Sequence, residues 1–203
     1  MLMMLESLHL MPAGSRQREP GGAKGSASAL PIPEFIVETR KKIGTDLMWL
    51  PSVAAVVLRD STDNSAWAVP EVLLVKRADN GEWTPVTGIA DPGEEAHDCA
   101  MREVYEETGI RVRPAALLGV GAVGPVTHGN GDLASYMSVQ LRMEPEDPSA
   151  KPVVGDDESV DVGWFPISNM PVTDPKWRLT IGDAAAQRKH PAGFTPRMGL
   201  AKR

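Results

Sequence analysis

Apolar residues along the chain fall into runs that alternate too densely for loops and are too short for anything but single elements. SVAAVVLRD (52–60) and EVLLVKRA (71–78) are β-rich runs joined by the polar STDNSAWAVP, which predicts two neighbouring strands with a loop between them. RPAALLGVGAVGPV (113–126) and LASYMSVQLRME (133–144) predict two more, separated by THGNGD, where Asn130-Gly131 is a turn signal. SVDVGWFPI (159–167) adds a short strand. PEFIVETRKKIG (33–44) spaces Phe35, Ile36 and Ile43 as a short amphipathic helix ending at Gly44, and DPKWRLTIGDAAAQRKH (174–190) reads as a closing helix. Strands and helices in mixed order, without regular alternation, predict an α/β (α+β) sandwich around a central mixed sheet.

Outside these runs the pattern dissolves. Residues 1–32 hold Gly, Ala, Ser, Pro and charge without periodicity and read as a flexible leader, within which Met11 offers a second start. Residues 191–203 read as an irregular basic tail, leaving one domain over 33–190. Hydrophobic content of 42% with 24% charge is that of a globular chain, and the net charge of −6 argues against a binder of nucleic-acid polymers, which needs a basic face. With no apolar run near the ~20 residues that span a bilayer, no membrane association is expected. Cys99 is the single cysteine, so no intramolecular disulfide can form; a buried hydrophobe in a cytoplasmic protein is the expectation.

GIADPGEEAHDCAMREVYEETGI (88–110) changes the picture, because its charge does not sit where a solvated helix would put it. Between Gly93 and Gly109 nothing interrupts a helix of about four turns. Glu94, Glu95 and Asp98 occupy its first turns, where the helix dipole favours negative charge. At about 100° per residue, Ala96, Cys99, Ala100 and Val104 share the inward face. Glu103 and Glu107 point into the same arc, with Glu106 at its edge. Arg102 can neutralise Glu106, but one arginine cannot offset three carboxylates. A hard divalent cation can, since Mg²⁺ prefers carboxylate oxygens and bridges protein to phosphate.

The stretch resembles the box of the Nudix hydrolases: Gly88, Glu94, Arg102, Glu103, Val104, Glu106, Glu107, Gly109 and Ile110 meet every fixed position at the required spacing. The wider resemblance runs from about Leu47 to Met170, with Trp83 five residues ahead of the box; Val86-Thr87-Gly88 departs from the Pro-Gly-Gly of many members, so the loop there is expected to differ in shape. The resemblance implies a Nudix-type α/β/α sandwich and metal-dependent hydrolysis, with Mg²⁺ or Mn²⁺, of a nucleoside diphosphate linked to another group. It implies Glu103, Glu106 and Glu107 as metal ligands, Arg102 as the residue orienting a glutamate, Gly88 as a backbone position near the metal, and Glu94 and Gly109 as structural. The general base is a box glutamate or an acid ahead of the WF strand, here Glu158 with Asp157 as substitute. Trp83 either stacks on a base or packs, and His128 either touches substrate or is a loop histidine. Pro125, fifteen residues past the box, favours ADP-ribose or another nucleotide sugar. Other readings are a triphosphate-sanitising pyrophosphatase, a nucleotide-sensing module without turnover and, more remotely, an isopentenyl diphosphate isomerase; dimers are common among relatives.

Overall fold

The computed structural model describes residues 33–62, 68–128 and 131–199. Residues 1–32, Asn130 and part of the 61–70 loop therefore lie outside the described residues. In chain order the elements are α1 (Glu34–Ile43), β1 (Met48–Arg59), β2 (Glu71–Arg77), β3 (Trp83–Thr84), β4 (Val86–Ile89), α2 (Ala96–Thr108), β5 (Val112–Thr127), β6 (Leu133–Pro145), β7 (Ser159–Pro166), α3 (Pro175–Lys189), a 3-10 turn (Pro191–Gly193) and β8 (Arg197–Met198).

The continuous apolar run of β1 has its reason in its position. Val53, Ala55 and Val57 face one core with Leu73, Val75, Cys99, Ala100 and Val104, which seats α2. Ala54, Val56 and Leu58 face the opposite core with Leu118, Trp177, Ile181 and Ala184, which seats α3. A strand covered on both faces has no need of a polar side, so its residues do not alternate. The outcome is a sheet between helices, the α/β/α sandwich the sequence predicts. A third cluster, Ile36, Met48, Leu50 and Ala134, fastens α1 to one end of the sheet.

The pairing differs from the simplest reading of the sequence. β1 and β2 do pair, antiparallel, but through Leu58↔Val72 and Arg59↔Glu71. The long partner of β1 is β6, parallel from Met48↔Ala134 to Val57↔Met143, and β2 runs antiparallel to β7 along its whole length. Val86–Ile89, expected as part of a loop, forms β4 and pairs with Ser52–Ala55 of β1. Within the 191–203 segment, expected to be irregular, residues 191–199 hold a 3-10 turn and β8. β8 lies parallel to β5 through Gly119↔Arg197 and Val120↔Met198, and Arg197 forks onto Asp183 of α3 at 2.9 and 3.0 Å. Two apolar-poor residues give no strand signal, so this edge is invisible to periodicity.

Candidate functional site

The acidic helix begins two residues later than its first glutamates, with Glu95 as N-cap, and ends at Gly109, whose φ of 69° lets its N–H reach the Tyr105 carbonyl at 2.8 Å. Its inward face is as expected: Cys99, Ala100 and Val104 are fully buried, and Glu107, only 5% exposed, is buried with them. Glu106, at the edge of the arc, keeps 54% of its side chain in solvent.

Arg102 organises the acids around it. Its guanidinium donates to both oxygens of Glu94, at 2.8 and 2.9 Å, to Glu103 at 2.9 Å, to Glu106 at 3.1 Å and to the Ile89 carbonyl at 3.2 Å. Two parallel bonds make Glu94 its principal partner, so the arginine is committed to the start of the box and touches the two later glutamates only with Nη1. That engagement holds the Glu94 carboxyl below the usual carboxylate range. Glu94 also accepts the Asp91 N–H at 3.0 Å, so its carboxylate ties the loop ahead of α2 to Arg102.

Gly88 proves to be a cradle. It sits in β4 opposite Val53, and a Cβ there would lie 2.1–2.2 Å from Cδ, Cγ and Oε1 of Glu103. The glutamate lies flat against the glycine backbone, a place no side-chain-bearing residue could leave free. Across the helix end, residues 153–155 close over the last turn of α2: the Val153 N–H donates to the Thr108 carbonyl at 3.0 Å and the Gly155 N–H to the Glu107 carbonyl at 2.9 Å. A Cβ on Gly155 would fall 1.9 Å from the Glu106 carbonyl oxygen. This close approach delivers the following acids to α2: Asp156 and Glu158 act on Glu107, and Ser159 donates to the Glu107 carboxylate at 3.3 Å.

The electrostatics follow from burial plus crowding. Desolvation raises Glu107 to about 8, helped by Asp156, Glu103 and Glu158 and opposed by the Ser159 hydroxyl. Desolvation likewise raises Glu103 to about 7 against the pull of Arg102, with Glu106 and Glu158 pushing the same way as burial. Glu158 is raised by desolvation and Asp156, with Arg77 resisting. Five carboxylates, Glu103, Glu106, Glu107, Asp156 and Glu158, thus act on one another, while the arginine beside them is committed chiefly to Glu94. Among the described residues no three acidic, histidine or cysteine side chains converge into a ready coordination shell. The donor chemistry nevertheless fits a hard cation: Glu103, Glu106 and Glu107 offer oxygens only, in excess of positive charge, and such an ion keeps several of its own waters.

Two hollows flank the cluster. One, of about 980 Å³, is lined by Arg102, Glu106 and Asp156. The other, of about 720 Å³, runs over the sheet past Gly88, Arg77, Tyr136 and His128 to Lys176 at the start of α3. Glu103 and Glu158 line both, so they stand on the ridge between them. Asp157 lines the second hollow only. His128 faces this cleft with its Nε2 2.6 Å from the Tyr136 hydroxyl. Trp83 is partly buried, set edge-on against Phe165 with centroids 4.9 Å apart and packed on the α3 core. Pro125 is exposed at the register shift between Val123 and Val126 of β5. Buried Cys99, its thiol pushed up by desolvation, is a packing residue.

Sequence reasoning missed Gly155, Ser159, Arg77 and Lys176. Only Gly155 carries a signal, as a glycine directly ahead of the acids of GDDES; the others reach the site through sheet pairing and helix placement that no local pattern encodes.

Fold and site define an α/β/α domain in which a glutamate-bearing helix end meets a cleft with cationic side chains. The chain belongs to the NUDIX family, whose domain model matches residues 48–185. A protein of Pseudomonas entomophila described as NAD-capped RNA hydrolase NudC is 33% identical over 136 residues, covering 65% of this chain and 43% of that protein. A Pseudomonas putida protein of the same description is 32% identical over 105 residues, covering 50% and 34%. The chain thus spans less than half the length of these curated relatives. Among solved structures, a UDP-X diphosphatase matches with a TM-score of 0.53 at 18% identity over 83% of this chain and 75% of that one. A NUDIX hydrolase from Nitrosomonas europaea matches with 0.51 at 22% over 74% and 78%. These likenesses establish the fold. Among the described residues no helix is long and apolar enough to cross a membrane.

Proposed function

We propose that the protein hydrolyses the pyrophosphate linkage of a nucleoside diphosphate joined to another group, with a nucleotide sugar such as ADP-ribose as the favoured class. The carrying observation is the mutual crowding of Glu103, Glu107 and Glu158 beside an arginine already engaged by Glu94. An acidic site repels a diphosphate unless cations intervene, and Mg²⁺ or Mn²⁺ held by Glu103, Glu106 and Glu107 would supply charge neutralisation and polarise the phosphoryl oxygens. The remaining roles belong to the chain. Gly88 and Arg102 fix Glu103 from two sides, so the carboxylate is pre-positioned before substrate arrives. Glu158, on the ridge between the hollows, accepts the proton of the attacking water as its oxygen bonds to phosphorus and the bridging P–O bond breaks. Burial raises its carboxyl, which suits a group that must take up a proton near neutrality.

Pro125 supports an ADP-sugar. The Pseudomonas relatives, described as hydrolases of NAD-capped RNA, support a dinucleotide-like pyrophosphate, since NAD joins two nucleosides through one. The test is turnover with Mg²⁺ of a panel holding ADP-ribose, NAD, NAD-capped RNA, nucleoside triphosphates, oxidised triphosphates and dinucleoside polyphosphates. Release of AMP from ADP-ribose is the expected result. Tight binding of one member with no turnover of any would make the protein a sensor. Glu158→Gln should lose most of its turnover with metal affinity retained; activity within a few-fold of the parent would remove Glu158 from the base role.

A further inference from the structure

The second hollow is lined by three basic side chains whose charges are used differently. Arg40 holds α1 against the sheet end, donating to the carbonyls of Gly44, Asp46 and Leu133 and pairing with Asp132 at 3.2 Å. Arg77 forks onto Asp79 at 2.7 and 2.9 Å. Lys176 has no carboxylate within ion-pair distance among the described residues; its Nζ instead sits 3.9 Å from the centroid of Trp177. Asp174, two residues before it, is occupied in capping α3, where it accepts the Lys176 backbone N–H at 2.7 Å. Burial lowers the Lys176 ammonium despite the pull of Asp174 and Glu82, so this cation is partly stripped of water without an ion pair in return. It lines the same hollow as Glu103 and Glu158, and Arg77 lies in the field of both ends.

We propose that Lys176 binds an anionic phosphate oxygen of the substrate diphosphate on the side away from the carboxylate cluster, and so sets substrate affinity. The inference rests on reading the site as one that takes a diphosphate. A cation held by Glu103, Glu106 and Glu107 would neutralise only the oxygens that face it, and the others need a donor elsewhere in the hollow, which Lys176 also lines. An ammonium has three donors and adapts to such an oxygen as a point charge. Its seat on the indole fixes the stem beforehand, so little freedom is lost on binding. Lys176 acts in binding, with no proton or bond to handle, so its signature is in KM.

The experiment compares the full chain with Lys176→Met and Lys176→Arg in Mg²⁺, reading kcat and KM on whichever panel member the parent hydrolyses. Calorimetry reads the affinity for methylenediphosphonate, a pyrophosphate analogue that cannot be cleaved. Lys176→Met should raise both KM and the diphosphonate Kd about tenfold or more, with kcat within about threefold, as loss of one charge-assisted contact requires. Lys176→Arg keeps the charge but not the compact ammonium, so its KM and Kd should fall between those of the parent and of Lys176→Met. Unchanged affinity in Lys176→Met, or a parent that does not bind the diphosphonate, would overturn the assignment. Lys176-dependent diphosphonate binding without turnover of any nucleotide would support it while sinking the hydrolase reading.

Discussion

Gly88→Ala isolates the positioning of one carboxylate from the stability of the fold. The new Cβ would lie 2.1 Å from Cδ of Glu103, where ordinary contact begins at 3.4 Å, so the glutamate must withdraw by about 1.3 Å. The backbone itself has no objection, because Gly88 is a paired strand residue opposite Val53 and is not among the glycines with positive φ. The stability cost is then the Arg102–Glu103 contact, a charge-assisted bond worth about 1.5–3 kcal/mol. Two gains oppose it: relief of a buried, crowded carboxylate, and the lower unfolded-state entropy of alanine, about 0.4–1 kcal/mol. The net loss should be about 1 kcal/mol or less. With Glu103 holding the metal as proposed, activity should suffer far more, by about 100-fold in kcat, since a misplacement of about 1 Å can cost that much. Denaturant unfolding and saturating-substrate turnover measure the two quantities. A double-mutant cycle identifies the cause: in a Glu103→Ala background there is nothing to collide with, so Gly88→Ala should cost no stability there. Equal costs in both backgrounds, or a Gly88→Ala enzyme within a few-fold of the parent, would refute the cradle.

Arg102→Lys should destabilise by about 2 kcal/mol, because a lysine cannot span Glu94, Glu103 and the Ile89 carbonyl together, while the exposed Glu106 contact counts for little; chemical denaturation reads it. Gly155→Ala puts a Cβ against backbone, 1.9 Å from the Glu106 carbonyl oxygen, so the 153–155 segment must lift from α2. A loss of about 2–3 kcal/mol with a fall in kcat is expected, and an unchanged unfolding midpoint would contradict the contact. For pH, Glu103 at about 7 and Glu107 at about 8 bind protons more tightly folded than unfolded. Their contribution to the metal-free fold is therefore full at acid pH and is lost as pH rises through those values. Mg²⁺ competes with these protons, so its addition should raise Tm more at about pH 8.5 than at about pH 5.5, and equal shifts would count against the ligand set.

Which parts of the site were legible in the sequence follows from how far apart the partners stand along the chain. Helical spacing is a local relation, so the inward aim of Glu103 and Glu107 could be read from angles alone, and the burial of Cys99, Ala100 and Val104 beside them agrees. Arg102 lies eight residues from Glu94, just over two turns, and the angle that places Glu106 near it also hides its stronger tie to Glu94, because Glu94 precedes the helix proper. The sheet is less legible still. β1 carries no polar side, so its run SVAAVVL cannot announce that one neighbour is β6, parallel to it and paired from Met48↔Ala134 to Val57↔Met143 far along the chain. Yet that pairing, with β2 against β7, carries Glu158 to Ala78, whose N–H donates to the Glu158 carbonyl at 2.7 Å, and so sets the acid facing the box. The opposite wall is the extreme case, since Lys176 reaches the cleft only because Trp177, Ile181 and Ala184 bury α3 in the core across the sheet from α2. The box glutamates are thus specified by one helix, whereas the surfaces that would hold the rest of a substrate come from α1, β6 and the start of α3, joined only by packing. That division explains why twenty-three residues suffice to indicate a chemistry, while the choice of substrate depends on side chains such as Arg40, Tyr136 and Lys176, which no motif in the chain links.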